Sequence, residues 1–125
     1  LCIGETLEER QAGQTMAVLE RQILAALGER VEGADLVIAY EPVWAIGTGQ
    51  VATLEQVSEV HSSLRKFLLE KFPTGWASAV SILYGGSVKA ANAKELAELD
   101  SVDGFLVGGA SLKPDEFMQI TSTLV

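Results

Sequence analysis

Four times along this chain a short run of apolar residues gives way to a segment in which apolar residues recur with helical spacing. Leu1 to Ile3 forms an apolar stub. Met16, Leu19, Ile23 and Leu27 then recur at three- and four-residue intervals until Gly28 stops the pattern, and Thr6 and Glu9 have capping-box spacing at its start. Asp35 to Tyr40 (DLVIAY) is the second strand. After an irregular stretch, Thr53 and Gln56 offer another capping box ahead of Val57, Val60, Leu64 and Leu68. Ala79 to Tyr84 is the third strand, followed by a helix around Ala90 to Leu99. Gly104 to Val107 is the fourth, followed by a helix that Pro114 starts. Strand and helix alternate, and the strands are too apolar to face water on either side, so the predicted class is α/β with a parallel sheet covered by helices. Periodicity alone leaves two architectures open: an open doubly wound sheet, or half of an eightfold barrel.

With 125 residues there is room for one domain and one core, and residues 1–125 are read as a single unit without an internal linker; Pro73 to Trp76 reads as an ordinary helix-to-strand connection. Apolar residues make up 48% and charged residues 21%, which excludes disorder, and no apolar run approaches the roughly 18 residues of a membrane span. The net charge of −8 disfavours nucleic acid and anionic lipid as partners, so a small anionic ligand has to be held by local geometry. A single cysteine, Cys2, cannot form an intramolecular disulfide, and nothing resembles a signal peptide; a cytoplasmic location is the expectation. The chain starts at Leu1, inside an apolar run and without methionine, which suggests that a segment lies upstream.

In parallel α/β sheets, ligands gather at the carboxyl ends of the strands. Seven of the twelve glycines fall there: Gly4, Gly47, Gly49, Gly85, Gly86, Gly108 and Gly109. The last two strands run into paired glycines with a nearby hydroxyl, LYGGSV with Ser87 and LVGGAS with Ser111. Bare backbone N–H groups at such places suit a phosphate; one such pair by itself more often serves only a tight turn, but two adjacent strands carrying one shift the balance. After GGASL there is room for one short helical turn before Pro114.

Glu41 ends the second strand, and Pro42 biases it toward an extended backbone. Strand alternation places Val37, Ala39 and Glu41 on one face and Leu36, Ile38 and Tyr40 on the other. With the small residues toward a barrel axis, Glu41 stands at the mouth, although a strand-end glutamate taken alone is more often just solvated. The loop Pro42 to Gly49, PVWAIGTG, carries Trp44 and Ile46 between a proline and two glycines. It is read either as a lid that excludes water or as a loop packed permanently on the body. His61 lies on the apolar face of its helix with no second His or Cys nearby in sequence, so it is read as structural and no metal is expected. Arg65 is a candidate partner for Asp103, Tyr84 and Trp76 are read as core or lid-packing residues, and Cys2 is read as a small buried hydrophobe.

Taken together, CIGETLEER, AYEPVWAIGTG, EVHSSLR, LYGGSV and VDGFLVGGASL closely resemble the carboxyl-terminal half of the triosephosphate isomerase family, in order and with its spacing, from Cys2 to about Phe117. AYEPVWAIGTG is close to diagnostic, whereas the paired glycines are shared with other phosphate-binding barrels. The resemblance implies a (β/α)8 TIM barrel of which strands five to eight are present. It further implies an isomerase of glycolysis and gluconeogenesis that interconverts dihydroxyacetone phosphate and D-glyceraldehyde 3-phosphate through an enediolate, with no cofactor, as a cytoplasmic homodimer when complete. Glu41 matches the catalytic base. Gly47, Ser87, Gly108 and Gly109 match positions that hold substrate phosphate. Pro42, Val43, Trp44, Ala45, Ile46, Gly47, Thr48 and Gly49 match the lid, with Trp44 at its hinge. In relatives Tyr84 and Ser87 help latch the closed lid and Glu5 lies close to the lid tryptophan; Gln50 stands where lysine is frequent.

The family's lysine and histidine electrophiles, and the loop that makes its dimer, belong to the first half of the barrel and are not in this sequence. The chain by itself is therefore expected to be inactive, and its open sheet edges and uncovered apolar lumen to favour self-association. The alternatives are a noncatalytic phosphate-binding half-barrel module, and an enzyme of another phosphate-binding barrel family, against which the lid argues.

Overall fold

The structure is a computed structural model that describes residues 1–28, 31, 35–46, 48 and 50–124. Its elements run β1 (Cys2–Ile3), α1 (Leu7–Gln11), α2 (Thr15–Leu27), β2 (Val37–Tyr40), α3 (Leu54–Lys71), α4 (Thr74–Ala79), β3 (Ser81–Tyr84), α5 (Ala90–Ala97), β4 (Gly104–Phe105) and α6 (Pro114–Thr121), with short 3-10 turns at Val43–Ala45 and Gly109–Leu112.

The helix boundaries follow their local chemistry. Both capping boxes form: Thr6 Oγ1 accepts from Glu9 N at the start of α1, and Thr53 Oγ1 accepts from Gln56 N at the start of α3. Pro114 opens α6 at a position where its missing N–H costs nothing. Gly28 ends α2 with a φ of 62°, a conformation that favours glycine. The first helical segment, expected as one helix, is broken into α1 and α2 by Gly13, whose φ is 70°. Residues Thr74–Ala79, read as connection and strand, form the extra helix α4; a six-residue helix is too short to leave a periodic signal. The strands are accordingly shorter than expected, with β3 starting at Ser81 and β4 ending at Phe105.

All strand pairs are parallel, in the order β1-β2-β3-β4. A doubly wound sheet reverses its order at a switch point. This sheet does not, and each strand lies beside its sequence neighbour as in the wall of a barrel. On one face Ile38, Tyr40, Ile82 and Tyr84 pack beneath the helices, all fully or almost fully buried. α3 covers them with Val57, Val60, His61, Leu64 and Leu68 at helical spacing. A side chain buried as fully as Leu64 or Leu68 contributes roughly 1.5–3 kcal/mol relative to exposure, far more than the exposed Lys66–Glu70 pair on the same helix. The apolar stripe therefore holds α3 in place.

The other face carries Cys2, Val37, Ala39 and Leu83; Val37 is 48% exposed, whereas the small Ala39 is buried. Cys2, read as a buried hydrophobe, is exposed, because β1 is an edge strand and Cys2 belongs to this face. The Arg65–Asp103 pair is present at 2.7 Å. Asp103 Oδ2 also accepts from Ile82 N, and Arg65 donates to Ala77 O, so the pair ties α3 and α4 to the start of β3.

Candidate active site

Glu41 stands just past the end of β2, between the ends of two neighbouring strands. Its N–H donates to Ile3 O at 2.8 Å, while the carbonyl of the preceding Tyr40 accepts from Gly85 N at 2.8 Å. The glycines on either side make room for it. A Cβ at Gly4 would collide with the Glu41 carbonyl oxygen, and one at Gly85 would overlap the Glu41 side chain. Gly4 is itself held at both backbone groups by the Gln22 side-chain amide, donor and acceptor each at 2.9 Å. The Cys2 thiol hydrogen-bonds the Glu41 carboxylate, and that bond, then burial and the carboxylate's charge, push the thiol above its ordinary value.

A cavity of about 690 Å³ opens at the ends of the last three strands, lined by Glu41, Ala45, Ile46, Gly85, Gly86, Ser87, Gly108 and Gly109, with Lys89, Lys113 and Glu116 also along it. Of the five residues expected from sequence to touch substrate, the structure brings Glu41, Ser87, Gly108 and Gly109 to this one hollow. Gly47 lies outside the described residues, as does Gly49 of the lid. Ser111 is not among the lining residues: its hydroxyl donates to Gly108 O at 2.7 Å and closes the expected helical turn, Gly109–Leu112.

Gly108 and Gly109 do not have positive φ, and a Cβ on either would meet no heavy atom within 4 Å. Packing within the described protein therefore does not require glycine at either position. Asn92, which sequence reasoning missed, braces the Ser87 loop: its Nδ2 donates to Ser87 O and its Oδ1 accepts from Lys89 N, both at 2.8 Å. The signal was weak because Lys89, not a serine or threonine, occupies the capping position.

The loop after Glu41 is anchored through a buried carboxylate. Glu5 is fully buried, and its Oε1 accepts from Trp44 Nε1 at 3.0 Å, Tyr40 OH at 3.1 Å and Arg10 Nη1 at 3.0 Å. Arg10 also lies 5.2 Å from the centre of the Trp44 ring, a cation–π distance. Pro42, Val43, Trp44 and Ala45 thus form a pinned 3-10 turn, with Ala45 buried and Val43 and Ile46 about half exposed. Thr48 Oγ1 donates to Trp44 O and accepts from Gln50 N. Arg10 carried no sequence signal, since its partners are five and thirty-four residues away.

Behind the site Tyr40, His61 and Tyr84 cluster edge to face or tilted. His61 is buried, with Nδ1 at 3.1 Å from Ser101 O. Burial pulls its pKa down to about 4 against the opposing pull of Ser101 O and Asp103, so it is neutral at pH 7. Burial pushes the Tyr84 hydroxyl up to about 12, and this hydroxyl has no hydrogen-bond partner among the described residues. No group of three or more His, Cys, Asp or Glu among the described residues could hold a metal ion, and no described helix is long and apolar enough to cross a membrane.

This arrangement brings a carboxylate-bearing residue, the Ser87 loop and the paired glycines Gly108 and Gly109 to one hollow, with Ala45 and Ile46 of the loop after Glu41 also along it. Residues 1–124 match the family described as triosephosphate isomerase. The chain is 52% identical over 124 residues to the triosephosphate isomerase of Ruegeria pomeroyi, covering 99% of this chain and 49% of the relative. It is 54% identical over 123 residues to that of Saccharomyces cerevisiae, covering 98% and 49%, and 53% identical over 122 residues to the cytosolic triosephosphate isomerase of Gracilaria gracilis, covering 98% and 48%. The chain spans about half the length of these curated relatives. Its parallel α/β sheet, wound in one direction, fits the TIM barrel of that family. On fold and sequence together, this chain belongs to the triosephosphate isomerase family.

Proposed function

We propose that the chain is the carboxyl-terminal half of a triosephosphate isomerase barrel, contributing strands five to eight to a single barrel domain. The complete protein interconverts dihydroxyacetone phosphate and D-glyceraldehyde 3-phosphate, a step of glycolysis and gluconeogenesis, as a cytoplasmic homodimer. The observation that supports this reading is the shared cavity, which Glu41, Ser87, Gly108 and Gly109 line together.

In this reading Ser87, Gly108, Gly109 and Gly47 hold the phosphate, and Glu41 takes the proton from the carbon beside the carbonyl and returns it to the neighbouring carbon. The lid, Pro42 to Gly49, excludes water while the enediolate exists, and the Tyr84 and Ser87 loop latches it. The chemistry is proton transfer and calls for neither a metal nor an organic cofactor. A purely phosphate-binding module fits less well, because a carboxylate facing an anion site weakens binding unless it has a catalytic use.

The enediolate oxygen develops negative charge that no donor from this half meets. Loss of even one such donor costs about 10²–10³ in rate, so the chain alone is essentially inactive. The test is an isomerase assay on the purified chain, then on the chain mixed or fused with the amino-terminal half of a relative. Turnover should appear only on completion. Turnover near that of an intact enzyme from the chain alone refutes the inactivity, and none after completion refutes the isomerase reading.

A further inference from the structure

A second cavity, of about 290 Å³, lies apart from the one that contains Glu41, and apart from Arg10 its lining residues play no part in the site described above. Arg10, Thr15, Met16, Glu59, Val60 and Ser63 line it, drawn from α1, the first turn of α2 and the middle of α3. Its polar groups are largely unspent. The hydroxyls of Thr15 and Ser63 and the carboxylate of Glu59 make no hydrogen bond or ion pair among the described residues. Arg10 uses only Nη1, on Glu5, and leaves its other guanidinium donors without an acceptor among them.

Arg10 and Glu59 border one hollow with opposite charges, yet do not pair with each other. A lone anion there is repelled by Glu59 and a lone cation by Arg10, whereas a molecule carrying both charges satisfies both. Met16 and Val60 supply apolar surface, and the volume sits at the lower end of small-molecule pockets, roughly 300–1,000 Å³, which favours few heavy atoms. We propose that this cavity binds a small zwitterion, an α-amino acid with a short apolar side chain, its carboxylate on Arg10, its ammonium on Glu59 and its side chain against Met16 and Val60.

The site reaches the lid through Arg10. The same guanidinium neutralises Glu5 and lies over Trp44, whose indole N–H also bonds Glu5. A carboxylate bound on the free donors shares this one guanidinium with Glu5 and draws its charge away from Glu5 and the Trp44 ring, so occupancy shifts the hinge, and by linkage the state of the lid alters affinity for the amino acid. The coupling rests on the reading of Trp44 as lid hinge; the binding does not.

The experiment titrates the isotope-labelled protein, the longest gene product that contains this chain, with L-valine, isobutyrate and isobutylamine. Amide signals of Val60 and Ser63 report the cavity and the Trp44 indole N–H reports the hinge. L-valine is expected to shift all three saturably, isobutyrate to do so about tenfold more weakly, and isobutylamine to leave the indole in place. Arg10→Met risks unfolding because it strands the buried Glu5, so two milder variants carry the test. Arg10→Lys, which keeps the charge without the planar fork, weakens both carboxylates about tenfold. The exposed Glu59→Gln weakens L-valine about threefold and, by removing the repulsion of a lone anion, strengthens isobutyrate slightly. Absence of saturable shifts at Val60 and Ser63 overturns the site. Shifts there with an unmoved indole overturn the coupling. Titration of the same sample with inorganic phosphate, followed at Ser87, tests the isomerase reading separately.

Discussion

Ile38 and Val37 are neighbours in β2, yet Ile38 is fully buried beneath the helices while Val37 is 48% exposed on the opposite face. The same contrast runs across the sheet, from Tyr40, Ile82 and Tyr84 on one side to Cys2 and Leu83 on the other. The helix-covered face is finished by this chain's own residues, so stability resides there. The opposite face leads at its upper end to Glu41, where the proposed chemistry lies, and in the proposed reading its cover comes from the rest of the barrel.

The largest test of that division is Glu41→Gln in the completed barrel. Isomerase turnover should fall by about 10³ or more in steady-state kinetics, with the denaturation midpoint almost unmoved. A fall of less than tenfold removes Glu41 from the base role. Next, Ile38→Ala should cost about 2–5 kcal/mol in a denaturant titration, while Val37→Ala in the chain alone should cost less than about 0.5 kcal/mol. After completion the cost at Val37 should rise toward that of a core residue; equal costs at both sites in the chain alone break the comparison.

His61 supplies a third test on the finished face. Its folded pKa of about 4 lies below the unfolded value of 6.5, so the unfolded state binds the proton more readily. The stability this neutral histidine confers is complete above pH 6.5 and is lost as pH falls from there to about 4, by on the order of 3 kcal/mol. Carboxylates titrate over part of the same range, so the quantity to measure is the difference in urea midpoint between wild type and His61→Gln at each pH. A constant difference refutes the assignment. The smallest effect concerns the boundary between the faces. Gly85→Ala should push the Glu41 side chain aside and lower kcat by about tenfold to a hundredfold with KM little changed, since a displacement near 1 Å can cost that much.

Much of this was legible in the sequence because it is local. Thr6 with Glu9, Thr53 with Gln56, Gly28 and Pro114 each act within one helical turn, and each does in the structure what its spacing indicates. The alternation in β2 told Ile38 and Tyr40 from Val37 and Ala39 for the same reason. What escaped depends on distance along the chain or on short length. The Gln22 clasp on Gly4 spans eighteen residues, the exposure of Cys2 follows from which strand lies at the edge, and α4 is too brief for a period. At the site, the strand-end motifs pointed to Glu41, Ser87 and the paired glycines, but the residues that set them, Arg10, Asn92 and Gln22, are ordinary polar residues whose partners only the fold supplies.

The consecutive order of the strands bears on how such a chain is made. β2 needs only β1, β3 needs only β2, and β4 needs only β3, so every rung of the sheet joins a newly emerged segment to one already out of the ribosome. Growth can proceed in one direction without waiting for a distant partner, which keeps loop-closure costs small at each step.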